Sequence, residues 1–298
     1  MSTTETVLRS SGVTTTIFGI LNQFHSFTNL QYVTRFATTL NSKYGVLNQT
    51  AYQTPKFVPT LKYFGIGTKG FQNIDMDQGA LPNAGDARCM DLYGPLPIRV
   101  VKKSELASVM PPAERRKYRM MQTKTYDGEE YALFYLKLIE FDNNVEIIKK
   151  DADGVTSVYE PDPQYWLSPQ PPDRNEIGGA INTNVNRIIV RAKGKCEIRH
   201  DEIMEAVTIL HEGNMDFARI SEIGYYTGYD VAFNANNVDL STLPASEVAN
   251  LSEDSKTYEA AYVQLAKHHC SRGHELYTQG SYMIPTISLE SECCINGN

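Results

Sequence analysis

The sequence of 298 residues is long enough for one large domain or two of ordinary size. Hydrophobic residues make up 41% of it and charged residues 21%, an ordinary globular composition that excludes wholesale disorder. The formal net charge of −7 argues against a nucleic-acid partner, because an acidic chain repels phosphate backbones unless its basic residues share one face.

Two further classes are disfavoured by what the sequence lacks. No apolar run reaches the ~18 residues of a membrane-spanning helix, and the polar N-terminus has no secretory pattern, so we expect synthesis in a cytoplasm. The five scattered cysteines are typical of reduced thiols and not of a disulfide framework. Cys293 and Cys294 lie near the C-terminus, where they could crosslink subunits in an oxidising medium, and the sequence leaves that open.

The first predicted element is a helix over about residues 14–44. Apolar residues recur there at steps of three and four: Ile17, Ile20, Leu21, Phe24, Phe27, Leu30, Phe36 and Leu40. Gly45 is a natural end for this helix, because glycine enters the left-handed conformation without a Cβ penalty. We therefore expect a helical arm over residues 1–55. Residues 46–100 are rich in glycine and proline, which predicts a mostly irregular path of the kind that lies across another surface.

The stretch YFGIGTKGF, residues 63–71, has the Gly-x-Gly-x-x-Gly spacing of a dinucleotide-binding turn. That turn needs a buried strand before it and a helix after it, whereas two prolines precede this stretch and residues 72–85 are too rich in helix breakers. The spacing therefore favours a tightly turning backbone over nucleotide binding. The turn is flanked by three aromatic packing anchors, Tyr63, Phe64 and Phe71.

Hairpins are predicted next. Asp127-Gly128 separates two runs rich in tyrosine and aliphatic residues, 117–125 and 129–141, and a type I′ turn needs positive φ at both central positions. A second hairpin turn is predicted at residues 151–154. The following PDPQYWLSPQPPD contains five prolines and the single tryptophan, which predicts a stiff connector over residues 161–175. This connector would divide an extended, hairpin-containing region, 56–160, from a second half, 176–298.

The second half is expected to contain a hairpin over 186–199 with a Lys193-Gly194 turn, then a helix that begins at Asp201 and ends at Gly213. Two short strands around Gly228 and a C-terminal helix over about 255–274 follow. The helix prediction depends on one apolar stripe: Tyr258, Ala261, Tyr262, Leu265 and His269. The predicted fold class is α+β, with an antiparallel, sandwich-like β-rich body between an N-terminal and a C-terminal helix.

One cluster contains residue types that bind zinc: His268, His269, Cys270 and His274. It lacks a Cys-x-x-Cys pair, and histidines at a helix end also bond to free carbonyl groups. Hydrolase, metalloprotease and kinase motifs are missing from the sequence. We therefore predict no catalytic, cofactor or metal residues and no small-molecule substrate. A cytoplasmic metal-dependent hydrolase that uses the cluster stays open as an alternative.

Several stretches, taken in chain order, carry a family likeness: an N-terminal helix, LKYFGIGTKGF, PLPIRVV, RRKYRMMQTKTYDGEEYALFYLKLI and ARISEIGYYTGYD. Their order resembles that of uncharacterised virion structural proteins of tailed bacteriophages. The resemblance implies a non-enzymatic subunit of the tail, baseplate or head–tail neck, synthesised in the host cytoplasm and incorporated into the virion. It implies no catalytic residues.

The 18 tyrosines and 11 phenylalanines agree with an assembly role, because tyrosine is enriched at protein–protein interfaces. The expected partners are other virion proteins or copies of the same chain. The expected contact residues are Tyr63, Phe64, Phe71, Tyr165, Trp166, Cys293 and Cys294. A receptor- or glycan-binding module is a further alternative, since exposed aromatic side chains would serve it as well.

Overall fold

The computed structural model describes residues 13–15, 19, 39–46, 57–73, 80–82, 88–142, 146–151, 153–159, 186–275, 282–283 and 286–295. The chain divides into two compact units. The first consists of Met1–Ile139 with Cys196–Ile284, and the second of Glu140–Lys195 with Pro285–Asn298. The predicted connector over 161–175, with Tyr165 and Trp166, lies outside the described residues.

Antiparallel strands dominate the described chain. They are β1 (Val13–Thr15), β2 (Thr60–Gly67), β3 (Phe71–Asn73), β4 (Ala80–Pro82), β5 (Pro95–Leu96), β6 (Arg99–Lys102), β7 (Tyr118–Tyr126), β8 (Glu129–Leu138), β9 (Glu140–Phe141), β10 (Glu146–Lys150), β11 (Thr156–Val158), β12 (Asn186–Lys195), β13 (Ile198–Arg199), β14 (Arg219–Phe233), β15 (Thr257–Glu275), β16 (Tyr282–Met283) and β17 (Thr286–Ile295).

Helices are short. They are α1 (Leu40–Tyr44), α2 (Leu106–Val109), α3 (Pro112–Arg115), α4 (His200–Leu210) and α5 (Ala245–Ala249), with single 3-10 turns at Lys103–Glu105, Met215–Ala218, Leu240–Thr242 and Glu253–Ser255. In the described part of the chain, no helix is long and apolar enough to cross a membrane.

The first unit is built on one antiparallel sheet with the order β1-β15-β14-β2-β8-β6, in which β5 also pairs with β2 and β7 with β8. Two smaller pairs, β13 with β16 and β3 with β4, complete the described strands of this unit. The long β14–β15 hairpin is its centre, and Tyr63, Leu136 and Tyr226 are buried together in the main hydrophobic core. On a neighbouring part of the sheet, Ala206 of α4 packs with Val100 and Leu133.

The sheet curls so that β7 reaches β15 without forming a ladder with it. The carboxyl group of Glu259 on β15 accepts hydrogen bonds from the backbone N–H groups of Met120 and Met121 on β7, the latter at 3.1 Å. Beside this junction, α1 packs against both strands. Asn41 bonds to Ala260 and Val263 of β15, and Gln122 of β7 bonds to the carbonyl oxygen of Tyr44.

The second unit is a five-stranded antiparallel sheet with the order β11-β10-β12-β17, in which β9 also pairs with β12. β12 pairs with β17 over ten residues, from Asn186 opposite Ile295 to Lys195 opposite Thr286. The predicted turn at 151–154 connects β10 and β11 as expected, with the N–H of Gly154 bonded to the carbonyl oxygen of Asp151.

Several local predictions are confirmed. Asp127 and Gly128 both have positive φ, 50° and 82°, in the turn between β7 and β8. The helix predicted from Asp201 is α4, which begins one residue earlier, and Gly213 follows it with φ 75°. Gly45 ends α1 with φ 65°. The described part of the predicted N-terminal helix is helical at Leu40–Tyr44 and extended at Val13–Thr15.

Four predictions are wrong, and one physical cause connects two of them. Residues 46–100 do not follow a mostly irregular path, because their described part contains β2 to β5 and the start of β6. Residues 257–275 form strand β15 and not a C-terminal helix. β15 and β14 are buried on both faces over most of their length, so their apolar runs lack the alternation of a half-buried strand. Gly228 lies inside β14 and not in a turn, and a Cβ there would approach the Ala261 carbonyl oxygen to 3.0 Å. Lys193-Gly194 lies inside the continuous strand β12.

Candidate functional site

The glycine-rich stretch of residues 63–71 is a strand followed by a tight turn packed against β14. A Cβ on Gly70 would lie 2.0 Å from the carbonyl oxygen of Ser221, and one on Gly67 would lie 2.7 Å from the carbonyl oxygen of Gly94. The glycines are therefore required by close backbone approach. They surround the side chain of Glu222, which follows Ser221 on β14 and has no exposed surface.

Glu222 binds three backbone N–H groups from two segments. Its Oε1 accepts from Lys69 at 2.7 Å and from Gly94 at 3.0 Å, and its Oε2 accepts from Tyr93 at 2.7 Å. The Nε2 atom of His268 lies 3.2 Å from the same Oε2. Because a carboxyl oxygen accepts, we assign the imidazole proton to Nε2. One buried side chain thus ties the turn after β2 and the loop before β5 to the β14–β15 hairpin.

Cys270 completes this buried cluster without becoming a nucleophile. Its Sγ lies 3.4 Å from Nε2 of His268. Burial, together with the nearby charges of Glu222 and Cys89, raises the pKa of the Cys270 thiol to about 12. At neutral pH the sulfur is therefore a protonated thiol, and thiolate chemistry is suppressed.

Of the predicted His/Cys cluster, the described structure brings together His268 and Cys270 but not His269. The cluster lies on strand β15, where neighbouring side chains point to opposite faces, so His268 and Cys270 share one face and His269 belongs to the other. The side chain of His274 lies outside the described residues. Among the side chains that the structure does describe, no group of three or more His, Cys, Asp or Glu residues could hold a metal ion.

The loop of residues 88–94 is the surface element that Glu222 positions. Leu92 is buried in the main core, and the N–H groups of Tyr93 and Gly94 bond to Glu222. Asp91 adds a further anchor, since its Oδ2 accepts from the hydroxyl of Tyr44 at 2.8 Å, so the segment 91–94 is held by several bonds.

The same loop exposes two large apolar side chains. Met90 is 51% exposed and Tyr93 is 39% exposed, although the neighbouring Asp91 and Gly94 are held by partly buried bonds. The Tyr93 ring also packs on His268, with ring centroids 5.2 Å apart. The result is a rigid support for a small apolar surface, which we call the 88–94 loop surface.

Two other carboxyl groups of the first unit, one half-buried and one buried, are bound by side-chain donors. Asp230 accepts from the Tyr63 hydroxyl and from Nε of Arg119, both at 2.8 Å, and Arg119 and Lys62 lower the pKa of its carboxyl group against the opposing effect of burial. Glu202 accepts from Lys137 at 3.0 Å and from the hydroxyl of Tyr118. Asp230 links β14 to β2 and β7, and Glu202 links α4 to β7 and β8, so the geometry assigns both groups a stabilising role.

The predicted contact residues differ in how far the structure buries them. Tyr63 and Phe64 are fully buried in the first unit, so we do not retain them as contact residues. Phe71 is partly buried, and the guanidinium group of Arg219 lies 4.6 Å from its ring centre. The backbones of Cys293 and Cys294 lie in β17, opposite Ile188 and Arg187, and their side chains lie outside the described set.

The residues that organise this site were not found from the sequence. Glu222 and Glu259 are single acidic residues inside apolar strands, in ISEIG and TYEAAYV, and such an isolated acid is the one local signal of a buried bonded carboxyl group. Met90 and Tyr93 carry no comparable signal, because their exposure depends on long-range bonds of the loop.

Comparison with curated proteins and with solved structures found no match for this chain. One family model does match, over residues 1–252, and its description is a family of unknown function, DUF7208. The match covers most of the chain, including α1, the 88–94 loop, the β7–β8 hairpin and β14. The chain is therefore a member of the DUF7208 family.

Proposed function

We propose that the protein is a non-enzymatic structural subunit of a bacteriophage virion, in the tail, the baseplate or the head–tail connector. It acts by binding other virion proteins or copies of itself, after synthesis in the cytoplasm of the host bacterium. The virion assignment is supported by the order of sequence stretches described above. The assembly role is supported by the 88–94 loop surface.

That surface combines exposure with rigidity. Interfaces concentrate their binding energy in a few aromatic and Met side chains, and such anchors bind best when their own support is already ordered. Met90 and Tyr93 meet both conditions, because Asp91, Leu92 and Glu222 fix the backbone from which they project. An ordered loop loses little conformational entropy on association.

The proposal is tested with the double variant Met90→Ala/Tyr93→Ala. Both side chains are at least 39% exposed, so we expect folding to be retained while the assembled particle is lost. Val109→Ala/Val238→Ala is the matched control, since these two side chains have similar exposure, 39% and 38%, and lie outside the loop. Sedimentation of native lysates and of the purified full chain measures particle size. A wild-type chain that sediments only as a monomer, or a loop variant that assembles like the control, would contradict the proposal.

A further inference from the structure

We propose that two copies of this chain pair through strand β11, edge to edge and antiparallel, about a two-fold axis at Ser157. The pairing joins the five-stranded sheets of two second units into one continuous sheet. The inference rests on the proposed assembly role, and it names one contact and one partner for that role, the edge of β11 and a second copy.

β11 is an outer strand of its sheet, and it bonds to β10 through every second residue. The carbonyl oxygen of Val155 accepts from the N–H of Asp151 at 3.0 Å, and the N–H of Tyr159 donates to the carbonyl oxygen of Ile147 at 2.9 Å. Ser157 lies midway between these two bonds. Because bonded and non-bonded residues alternate along an antiparallel pair, residues 155, 157 and 159 direct their backbone groups toward β10.

Thr156 and Val158 therefore direct their backbone N–H and C=O groups away from the sheet. Among the described residues, no strand pairs with β11 on that side. The side chains are open as well, since Val158 is 83% exposed and Val155 is 63% exposed. Charged residues and prolines normally protect such an edge from association, and residues 155–159, VTSVY, contain neither. β17, at the opposite end of the sheet order, contains two glutamates.

The edge of β11 is complementary to itself, which identifies a second copy as its partner. A two-fold axis at Ser157 places Val155 opposite Tyr159 of the second copy, and Thr156 opposite Val158. Thr156 and Val158 then exchange N–H···O bonds on both sides of the axis, because their backbone groups are the ones that point outward. Pairs of β-branched and aromatic side chains across strands stabilise a sheet. A two-fold contact requires such a self-complementary surface.

Oxidative crosslinking of the whole chain carrying Ser157→Cys tests the pairing directly. On the two-fold axis residue 157 lies opposite itself, in a non-bonded pair whose Cα atoms are about 4.5 Å apart, a distance that a disulfide can span. The oxidant is diamide, a diazene that takes up the two thiol hydrogens and becomes a hydrazine while the two sulfur atoms form a bond. We expect assembled chain to become a covalent dimer, whose digest contains the residue-157 peptide joined to itself in mass spectrometry.

Val155→Cys is the matched control, because residue 155 is exposed and lies two positions before residue 157, on the same face of the sheet. In the proposed register the two copies of residue 155 are offset by four residues along the strands, about 14 Å. A disulfide needs Cα atoms within about 7 Å. This variant should therefore give no dimer above the background that the native cysteines produce in the wild-type chain.

The outcomes separate this pairing from the proposed function. If the Ser157→Cys chain assembles without the crosslink, the β11 pairing is rejected and the assembly role stands. Equal crosslinking of the two variants, or a residue-157 peptide joined to another polypeptide, also rejects the pairing. If the crosslink forms while Met90→Ala/Tyr93→Ala leaves assembly unchanged, the pairing stands and the 88–94 loop surface is rejected. A chain that stays monomeric overturns both.

Discussion

Replacing Gly70 by alanine should destabilise the first unit far more than a glycine substitution normally does. The new Cβ would lie 2.0 Å from the carbonyl oxygen of Ser221 and 2.6 Å from its carbonyl carbon. Ordinary non-bonded contact begins at about 3.5 Å. Both atoms belong to the backbone of β14, so no side-chain rotation relieves the overlap, and the turn after β2 must move away.

The cost follows from what the movement breaks. Forcing extra volume into a packed interior costs about 1–3 kcal/mol. The bond from the Gly70 N–H to Ser221 Oγ, 2.9 Å long, is lost as well, and the bond from Lys69 N to Glu222 is stretched, at about 1 kcal/mol each. We therefore expect a loss of roughly 3–5 kcal/mol in the free energy of unfolding. For a unit of this size, that corresponds to a fall in Tm of roughly 6–20 °C.

The control is Gly128→Ala, where φ is +82° but the added Cβ meets nothing within 4 Å. Only left-handed backbone strain opposes alanine there, at about 1 kcal/mol. Urea and thermal unfolding of both variants, followed by circular dichroism, give the comparison. If Gly70→Ala unfolds like Gly128→Ala, then the turn after β2 does not contact β14 as described, and the argument that the glycines serve packing fails.

Three further predictions concern buried polar groups. Asn41→Leu should lower the free energy of unfolding by about 2–3 kcal/mol in urea titrations, because it leaves a buried N–H and a buried C=O of β15 without their partner. Burial raises the pKa of Glu259 above 4.5, so folding favours the protonated carboxyl group. The stabilisation from this proton is complete below pH 4.5 and is lost as the pH rises through the folded-state pKa. Wild type should therefore lose more stability than Glu259→Gln between about pH 4 and pH 7, and parallel pH-dependences of their urea midpoints would refute this. A pKa of about 12 instead of 9.0 makes the Cys270 thiolate roughly 1,000-fold scarcer, so this thiol should react with a disulfide reagent at pH 8 only in the unfolded chain.

Sequence patterns predicted the elements whose signals are local. The β7–β8 hairpin depends on Asp127-Gly128, and α4 depends on a short apolar stripe ending at Gly213, so a few neighbouring residues suffice for each. β15 was mistaken for a helix because burial on both faces removes the alternation that identifies a strand. The Glu222 site was not predictable in this way. Its bonds to residues 69 and 93 span 153 and 129 positions, and they form only once β2 and β14 are neighbours.

At two places in the first unit, buried acids bind backbone N–H groups that no neighbouring strand pairs among the described residues. Where a β-ladder would otherwise join β7 to β15, Glu259 accepts the N–H groups of β7 instead. Glu259 therefore joins β7 to β15 through its side chain and not through a ladder of backbone bonds. α1 packs beside this junction, bonded to β15 through Asn41 and to β7 through Gln122. Glu222 acts likewise on the 88–94 loop, which it fixes through backbone N–H groups and not through the side chains of Met90 and Tyr93. The anchoring bonds therefore use backbone groups of the loop, and Met90 and Tyr93 remain partly exposed beside them.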